Sequence, residues 1–363
     1  GVTIVLNHAV EDVLAEQRAG RFDAVFLAIG AHRSKHVDIP ARDAVKIVDA
    51  VGLLRDVATG EPPSLGRRVV VYGGGNTAMD AARTVRRLGA DDAMIVYRRD
   101  RTHMPAHAFE ADEALAEGVR IKWLTSIAAI DGSSVTVEVM EVDADGRARP
   151  TGRFETLDAD AVVLAVGQDA ESGFLRSIPE IVRGADGTVA VGPDMMTGRP
   201  GIFAGGDMVP ERRSVTIATG HGKKAARHID AWLRGTRFAA PTKHPVIGFA
   251  GLKLPIYADA LPSAEPALPL EARGGGFAEV VAGLDEPAAV HEAKRCLSCG
   301  NCFECDQCFA ACPEHAIVKL GPGLRYVIDD ARCTGCAVCV EQCPCHAMEM
   351  VPELARTAPG APR

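Results

Sequence analysis

Cysteine is missing from the first 295 of the 363 residues. That stretch can hold neither a disulfide nor a redox-active thiol pair, so whatever chemistry it performs runs on other groups. Long apolar runs are missing too. The longest, Ala161 to Gly167, is the size of a strand, far short of a bilayer span. Charge of one sign does not dominate: 40 basic and 48 acidic residues are interspersed for a net charge of -8, which leaves no basic stripe for nucleic acid. At 47% apolar composition the chain is long enough for two or three cores. An initiating Met is absent. Gly1-Val-Thr-Ile-Val-Leu enters directly on strand-like sequence, an amphipathic stretch from Val10 to Arg18 follows, and a piece of a longer protein is expected.

All eleven cysteines lie between Cys296 and Cys345. Eight of them form two identical runs, Cys302, Cys305, Cys308, Cys312-Pro313 and Cys333, Cys336, Cys339, Cys343-Pro344, each reading C-x2-C-x2-C-x3-C-P. In this pattern each run gives three thiolates to one [4Fe–4S] cube and its fourth to the other. The crossing assigns Cys302, Cys305, Cys308 and Cys343 to one cluster and Cys333, Cys336, Cys339 and Cys312 to the second. Cys312-Pro-Glu-His-Ala-Ile and Cys343-Pro-Cys-His-Ala-Met repeat each other, which points to an internal duplication. Zinc could use part of this ladder but does not demand two such runs. Disulfides suit neither the odd count nor a dense cluster without a secretory signal, so a reducing, cytoplasmic setting is expected. Cys296, Cys299 and Cys345 are spare. A register that used Cys299 in place of Cys308 is conceivable, but the Cys-Pro end argues against it.

Upstream, Val69 to Tyr72 reads as a buried strand feeding Gly73-Gly74-Gly75-Asn76-Thr77-Ala78, a G-x-G-x-x-A turn; a helix from Ala78 to Leu88 and a strand from Ala93 to Tyr97 follow. That order is the context a dinucleotide fingerprint requires. Gly73 is expected to permit the tight turn, Gly75 to let backbone N–H groups reach the pyrophosphate, and Ala78 to let helix and strand pack closely. Where an NAD site carries an acid for the ribose, the chain has Arg98-Arg99, suited to a 2′-phosphate and hence to NADP(H) over NAD(H); a solvated strand end is the plainer alternative. Asp23-Ala-Val-Phe-Leu-Ala-Ile-Gly30 and Asp160-Ala-Val-Val-Leu-Ala-Val-Gly167 are near-copies that read as crossover strands between two nucleotide domains. Gly201-Ile-Phe-Ala-Gly-Gly206-Asp207 ends a further strand, and a helix begins near Ser214-Val215-Thr216. In an FAD site Asp207 would accept from ribityl hydroxyls and the helix N-terminus would face the flavin pyrimidine edge. Alone, Gly-Gly-Asp is an ordinary turn.

Together, Gly73-Gly-Gly-Asn-Thr-Ala-Met-Asp80, Val96-Tyr-Arg-Arg99, Gly206-Asp207, Ala218-Thr-Gly-His-Gly-Lys223 and Glu292-Ala-Lys-Arg-Cys-Leu-Ser-Cys-Gly300 resemble the NADPH-dependent glutamate synthase small-subunit family, from residue 1 to about 352. Within it the chain is most similar to the branch with a two-cluster ferredoxin, the NAD(P)H:acceptor oxidoreductases linked to dissimilatory sulfite reductase or to 2-oxoacid:ferredoxin oxidoreductases. The resemblance implies an α/β chain of two Rossmann-like dinucleotide-binding domains followed by an α+β two-cluster bacterial ferredoxin-like domain. It implies FAD, NADP(H) or NAD(H), two [4Fe–4S] clusters, no catalytic acid or base, and a redox protein partner, a ferredoxin or an iron–sulfur enzyme subunit. The family's own FAD fingerprint and its amino-terminal cysteine-rich region would lie before Gly1, so the FAD domain is expected to be incomplete. A glutamate synthase electron-input subunit and a non-enzymatic ferredoxin-like carrier are the alternatives. Disulfide reduction of the thioredoxin-reductase type lacks its thiol pair.

The expected organisation is a partial FAD domain at 1–40 and 156–235, an NAD(P) domain at 66–155, a Pro-rich linker at 236–290, the ferredoxin module at 291–352 with a hairpin of Ile317 to Leu320 and Leu324 to Ile328, and a mobile tail at 353–363. His221, His103 and His346 are given no part in the chemistry, nor is Met104-Pro105-Ala106.

Overall fold

A computed structural model describes residues 1–35, 37–42, 46–240, 260–296 and 301–352. The chain divides into two units, Gly1–Ala239 with Leu268–Ala278, and Ala240–Ala267 with Glu279–Arg363. The first opens with α1 (Val13–Gly20), β1 (Val25–Leu27), β2 (Arg33–Ser34) and β3 (Ala41–Arg42). Asp12 starts α1 by accepting the Leu14 and Ala15 N–H groups at 2.9 Å. The strand expected at the amino terminus does not form. Val2, Ile4, Val5 and Leu6 are exposed, and no described strand pairs with them, so their backbone has nothing to exchange hydrogen bonds with.

Strands and helices then alternate through β4 (Lys46–Asp49), α2 (Ala50–Ala58), β5 (Arg68–Tyr72), α3 (Asn76–Arg87), β6 (Asp92–Val96), α4 (Ala108–Ala116) and β7 (Arg120–Lys122). An antiparallel meander of β8 (Thr125–Asp131), β9 (Ser134–Val142) and β10 (Ala148–Asp158) precedes β11 (Ala161–Leu164), which returns to the parallel sheet. The order is β4-β11-β5-β6-β7. Both faces of this sheet are covered, which is why its strands read as unbroken apolar runs. Val69, Val71, Ile95 and Val163 pack with Met79, Ala82 and Val85 of α3 on one side. Val70, Val96 and Val162 meet Ile127, Ile130, Val135 and Val137 of the meander on the other. The sheet is wider than the predicted 66–155, drawing in β4 ahead of that stretch and β11 behind it. Strands of four residues have too little periodicity to announce which sheet they will join.

One acid fastens β11 to β5. Asp160 accepts the Arg67 and Arg68 N–H groups and the Arg68 guanidinium, each at 2.9 Å, and these bonds hold its carboxyl at about 2. A depressed carboxyl contributes stability above its ordinary value, near 4, and that contribution fades as pH falls toward 2. Asp160→Ala is therefore expected to lower the thermal midpoint by roughly 2–4 °C at pH 7. Melts repeated at pH 2.5 should show that gap largely closed.

The remainder of the first unit holds β12 (Gln168–Asp169), β13 (Ile202–Ala204) and α5 (Val215–Leu233). β13 lies parallel to β1, and β12 pairs antiparallel with β2, Gln168 opposite Ser34 and Asp169 opposite Arg33. Leu27, Leu175, Ile178, Val189, Ile202 and Met208 form the core here. The stretch predicted as a linker contributes α6 (Leu270–Arg273), N-capped at Pro269, and the start of α7 (Glu286–Lys294). Proline is tolerated before a first helical turn, so its abundance did not exclude these short helices. Arg273 joins Arg83 and Arg87 around the nearly buried Glu117 carboxylate. Pro241, Pro245, Pro255, Cys299 and the tail 353–363 lie outside the described residues.

The second unit carries α7, α8 (Gln307–Ala311), the hairpin β14 (Ile317–Gly321) and β15 (Arg325–Ile328), and α9 (Val338–Gln342). Among the described residues no helix is long and apolar enough to cross a membrane.

Candidate functional site

The glycine loop joins β5 to α3. Gly73 has φ +151°, and a Cβ there would lie 2.2 Å from the Ala165 carbonyl oxygen; one on Gly74 would lie 2.3 Å from the Tyr97 ring. Only glycine fits either place. Gly75 is different: it N-caps α3 without a side-chain hydrogen bond, and a Cβ on it would meet nothing within 4 Å. The open side of the loop is therefore at Gly75 and the first turn of α3, Asn76 and Thr77, whose amides suit a pyrophosphate. Ala78 is fully buried, as close packing of helix on strand requires. The Asn76 side chain turns inward instead, its Oδ1 accepting the His107 N–H at 3.1 Å, while Ala106 N–H reaches the Gly74 carbonyl at 3.1 Å. Met104-Pro105-Ala106 is thus a strap across the loop.

At the end of β6 the two arginines part company. Arg99 donates from Nε to the Tyr97 hydroxyl at 2.9 Å and lies 5.8 Å from that ring's centroid, whereas Arg98 is exposed. The next residue, Asp100, is spent on its own turn. It accepts from His103 Nδ1 (2.7 Å), Thr102 Oγ1 (2.8 Å) and the His103 N–H (3.0 Å), which hold it at about 2.

Gly167 (φ +112°) immediately precedes β12 and Gly30 (φ +72°) lies three residues before β2, so the two crossovers turn on glycine and then pair. Gly167 lines an open groove of about 560 Å³ with Lys35, Gln168, Thr188 and the Val209 to Arg213 loop. Gly206 (φ +72°) and Asp207 form one turn of 3-10 helix after β13. No hydrogen bond engages the Asp207 carboxylate among the described residues. Ser214 caps α5, accepting the Ile217 N–H at 3.2 Å, and Val215 and Thr216 are exposed on its first turn. A free carboxylate and an open N-terminus on a long helix are what a ribityl chain and a pyrimidine edge require. His221, given no part in the chemistry from sequence, is buried, accepts the Gly206 N–H at Nδ1 (3.1 Å) and donates from Nε2 to Glu211 (2.8 Å).

The cysteine runs repeat in backbone as well as in sequence. Left-handed residues recur at Glu304 and Gly335, Asp306 and Ala337, His315 and His346, and the Ala316 and Ala347 amides donate to the Cys312 and Cys343 sulfurs at 3.3 and 3.1 Å. Burial pushes the Cys308 thiol up to about 11, and its sulfur neighbours are Cys343, Cys302 and Cys305. Burial likewise raises Cys339, beside Cys333 and Cys312. One cavity of about 220 Å³ has Cys312, Cys333, Cys336 and Cys339 in its wall, with Ile317, Ile328, Val340 and Met348 around them. Across the described residues, His, Cys, Asp and Glu nowhere converge in threes on a single-ion site. Four thiols around one cavity suit a cube. No described cysteine forms a disulfide. Cys345, one of the spares, is buried with its sulfur 3.9 Å from that of Cys343 and 3.3 Å from the Asn301 carbonyl.

Comparison with known proteins identifies both parts of the chain. The model of the pyridine nucleotide-disulphide oxidoreductase family matches residues 2–222, and that of the 4Fe-4S dicluster domain matches residues 301–347. The NADP(+)-dependent formate dehydrogenase subunit beta of Moorella thermoacetica is 39% identical over 325 residues, 82% of this chain and 45% of the relative. The NADPH-Fe(3+) oxidoreductase subunit beta of Geobacter sulfurreducens is 33% identical, covering 82% and 52%. For the glutamate synthase (NADPH) small chain of Escherichia coli K12 the values are 33%, 64% and 55%. The chain spans about half the length of the first two of these relatives. The solved structure of Mycobacterium tuberculosis FprA with NADPH shares the fold at a TM-score of 0.53 and 20% identity, over 65% of this chain and 70% of that one. FAD, a nicotinamide nucleotide and two [4Fe–4S] clusters are the cofactors that these two domains imply. The chain belongs to the pyridine nucleotide-disulphide oxidoreductase family, here with a 4Fe-4S dicluster domain joined to its carboxyl side and without a cysteine in the matched nucleotide-binding body.

Proposed function

We propose that this chain is the nicotinamide, flavin and iron–sulfur portion of an oxidoreductase that passes electrons between NAD(P)H and an iron–sulfur protein partner, of sulfite reductase or 2-oxoacid oxidoreductase type, in the cytoplasm. The cavity walled by Cys312 from one run and Cys333, Cys336 and Cys339 from the other carries this reading, because that mixed quartet is the arrangement two crossed clusters need. When bound, a flavin takes two electrons as hydride and gives them up singly, and clusters carry one each.

The residues have correspondingly modest tasks. The Gly73 to Thr77 loop and the first turn of α3 would hold the pyrophosphate, with Arg98 and Arg99 at the adenosine end. Gly30, Gly167, Gly206, Asp207, Ser214, Val215 and Thr216 would line the flavin. Asp207 accepts hydroxyl hydrogen bonds, and the α5 amides favour negative charge at the pyrimidine edge. The eight cysteines would supply the thiolates, and two of them, Cys312 and Cys343, already accept amide hydrogen bonds from Ala316 and Ala347. No side chain is needed to move a proton to or from carbon.

Anaerobic reconstitution tests the proposal. Full chain supplied with iron, sulfide and FAD should hold about one flavin with about eight irons and sulfides, and NADPH should bleach the flavin band and drive reduction of a one-electron dye. Protein that retains iron and sulfide but neither takes flavin nor oxidises NADPH would reduce the chain to an electron carrier.

A further inference from the structure

Histidine 221 sits behind the flavin-side turn with both ring nitrogens committed. Nδ1 accepts the Gly206 N–H at 3.1 Å, so the proton resides on Nε2, which donates to Glu211 Oε2 at 2.8 Å. Only one tautomer satisfies both partners. The residue is 8% exposed on a helix whose neighbouring Thr219 and Gly220 face solvent. It also presses on the turn: a Cβ on Gly205 would lie 3.0 Å from the His221 Cβ and 2.9 Å from the Phe26 ring, so the glycine pair is held between β1 and α5. Gly206 has φ +72° and directly precedes Asp207. Removal of the acceptor would leave a part-buried amide unpaired in the residue that sets the Asp207 direction.

We propose that His221 is a positioning residue for the flavin, fixing the Gly205-Gly206-Asp207 turn so that the Asp207 carboxylate meets the ribityl hydroxyls, with Glu211 selecting the tautomer that permits this. The proposal rests on the flavin reading above. It goes beyond that reading in giving control of affinity to a residue outside the set that would line the flavin.

Amide hydrogen exchange over residues 204–209 reads the turn without any ligand, and titration of the full chain with FAD reads the consequence. His221→Ala is expected to speed exchange at Gly206 and to weaken FAD binding, each about tenfold. His221→Asn, whose Oδ1 can stand where Nδ1 stood, should keep both within about threefold of the parent. Exchange unchanged in His221→Ala, or FAD affinity unchanged despite faster exchange, would overturn the proposal. So would Asn behaving like Ala in a chain that still melts cooperatively. A parent chain that takes no FAD while His221→Ala still speeds exchange would sink the flavin reading and the positioning role together, leaving only a brace.

Discussion

Replacing Cys312 and Cys333 together with alanine is expected to remove one cluster, whereas replacing Cys302 and Cys312 together removes both. The first pair comes from different runs and the second from the same run, so a run-by-run assignment predicts the reverse. The crossed outcome follows from where the sulfurs lie. Cys312 and Cys333 share a single cavity with Cys336 and Cys339, while Cys302 is grouped with Cys305, Cys308 and Cys343. A cube that has lost one thiolate is already compromised, so losing a second from the same cube adds little. Two losses on different cubes add fully. Iron and acid-labile sulfide should fall from about eight per chain to about four in Cys312→Ala/Cys333→Ala and to near zero in Cys302→Ala/Cys312→Ala. Reduction of a one-electron protein acceptor should drop at least about 100-fold in the latter, with NADPH-dependent bleaching of the flavin retained, because hydride exchange uses nothing in the second unit. Equal iron loss in the two double variants would refute the crossing.

The second large effect belongs to Arg98. A 2′-phosphate carries charge that an exposed guanidinium can grip, and a charge-assisted contact is worth about 1.5–3 kcal/mol. Arg98→Ala should therefore raise the KM for NADPH by roughly 10- to 100-fold and leave the NADH value nearly unchanged. Arg99→Ala should act more weakly on the same ratio, since Arg99 is anchored on the Tyr97 hydroxyl and ring. Asp100 Oδ1 is already engaged by His103 and Thr102. Steady-state kinetics with both nucleotides decide the matter. A parallel loss for NADH and NADPH would make the arginine a general structural support instead of a phosphate reader.

The sequence made some of this architecture legible and concealed the rest for identifiable reasons. Cluster cysteines, the glycine loop and the Ile317 to Ile328 hairpin depend on residues close together in the chain, so spacing alone exposes them. The alternation at Val135 and Val137 marks a strand with one buried face, and both are fully buried. Strand neighbours are another matter. β11 inserts between β4 and β5, partners more than 85 residues upstream, and nothing local to Ala161–Leu164 distinguishes this place from a flavin-domain strand. At Gly1 to Leu6 local propensity pointed to a strand that no described neighbour completes. The side-chain partners of Asn76 and His221 were not legible, one accepting the His107 amide thirty-one residues on and the other drawn into a turn fifteen residues away. Hydrogen-bond partners made by folding leave little trace in spacing.

The pairing of β2 with β12 has a mechanical consequence. Both passages between the nucleotide-binding lobes of the first unit are laced to each other by backbone hydrogen bonds, and each is preceded by a glycine at positive φ, Gly30 and Gly167. Flexing about the line of this ribbon asks only for dihedral changes at residues that tolerate them. Twisting one passage against the other would tear the ladder. A hinge at this ribbon would therefore bend as a spine bends between two covers sooner than it would swivel.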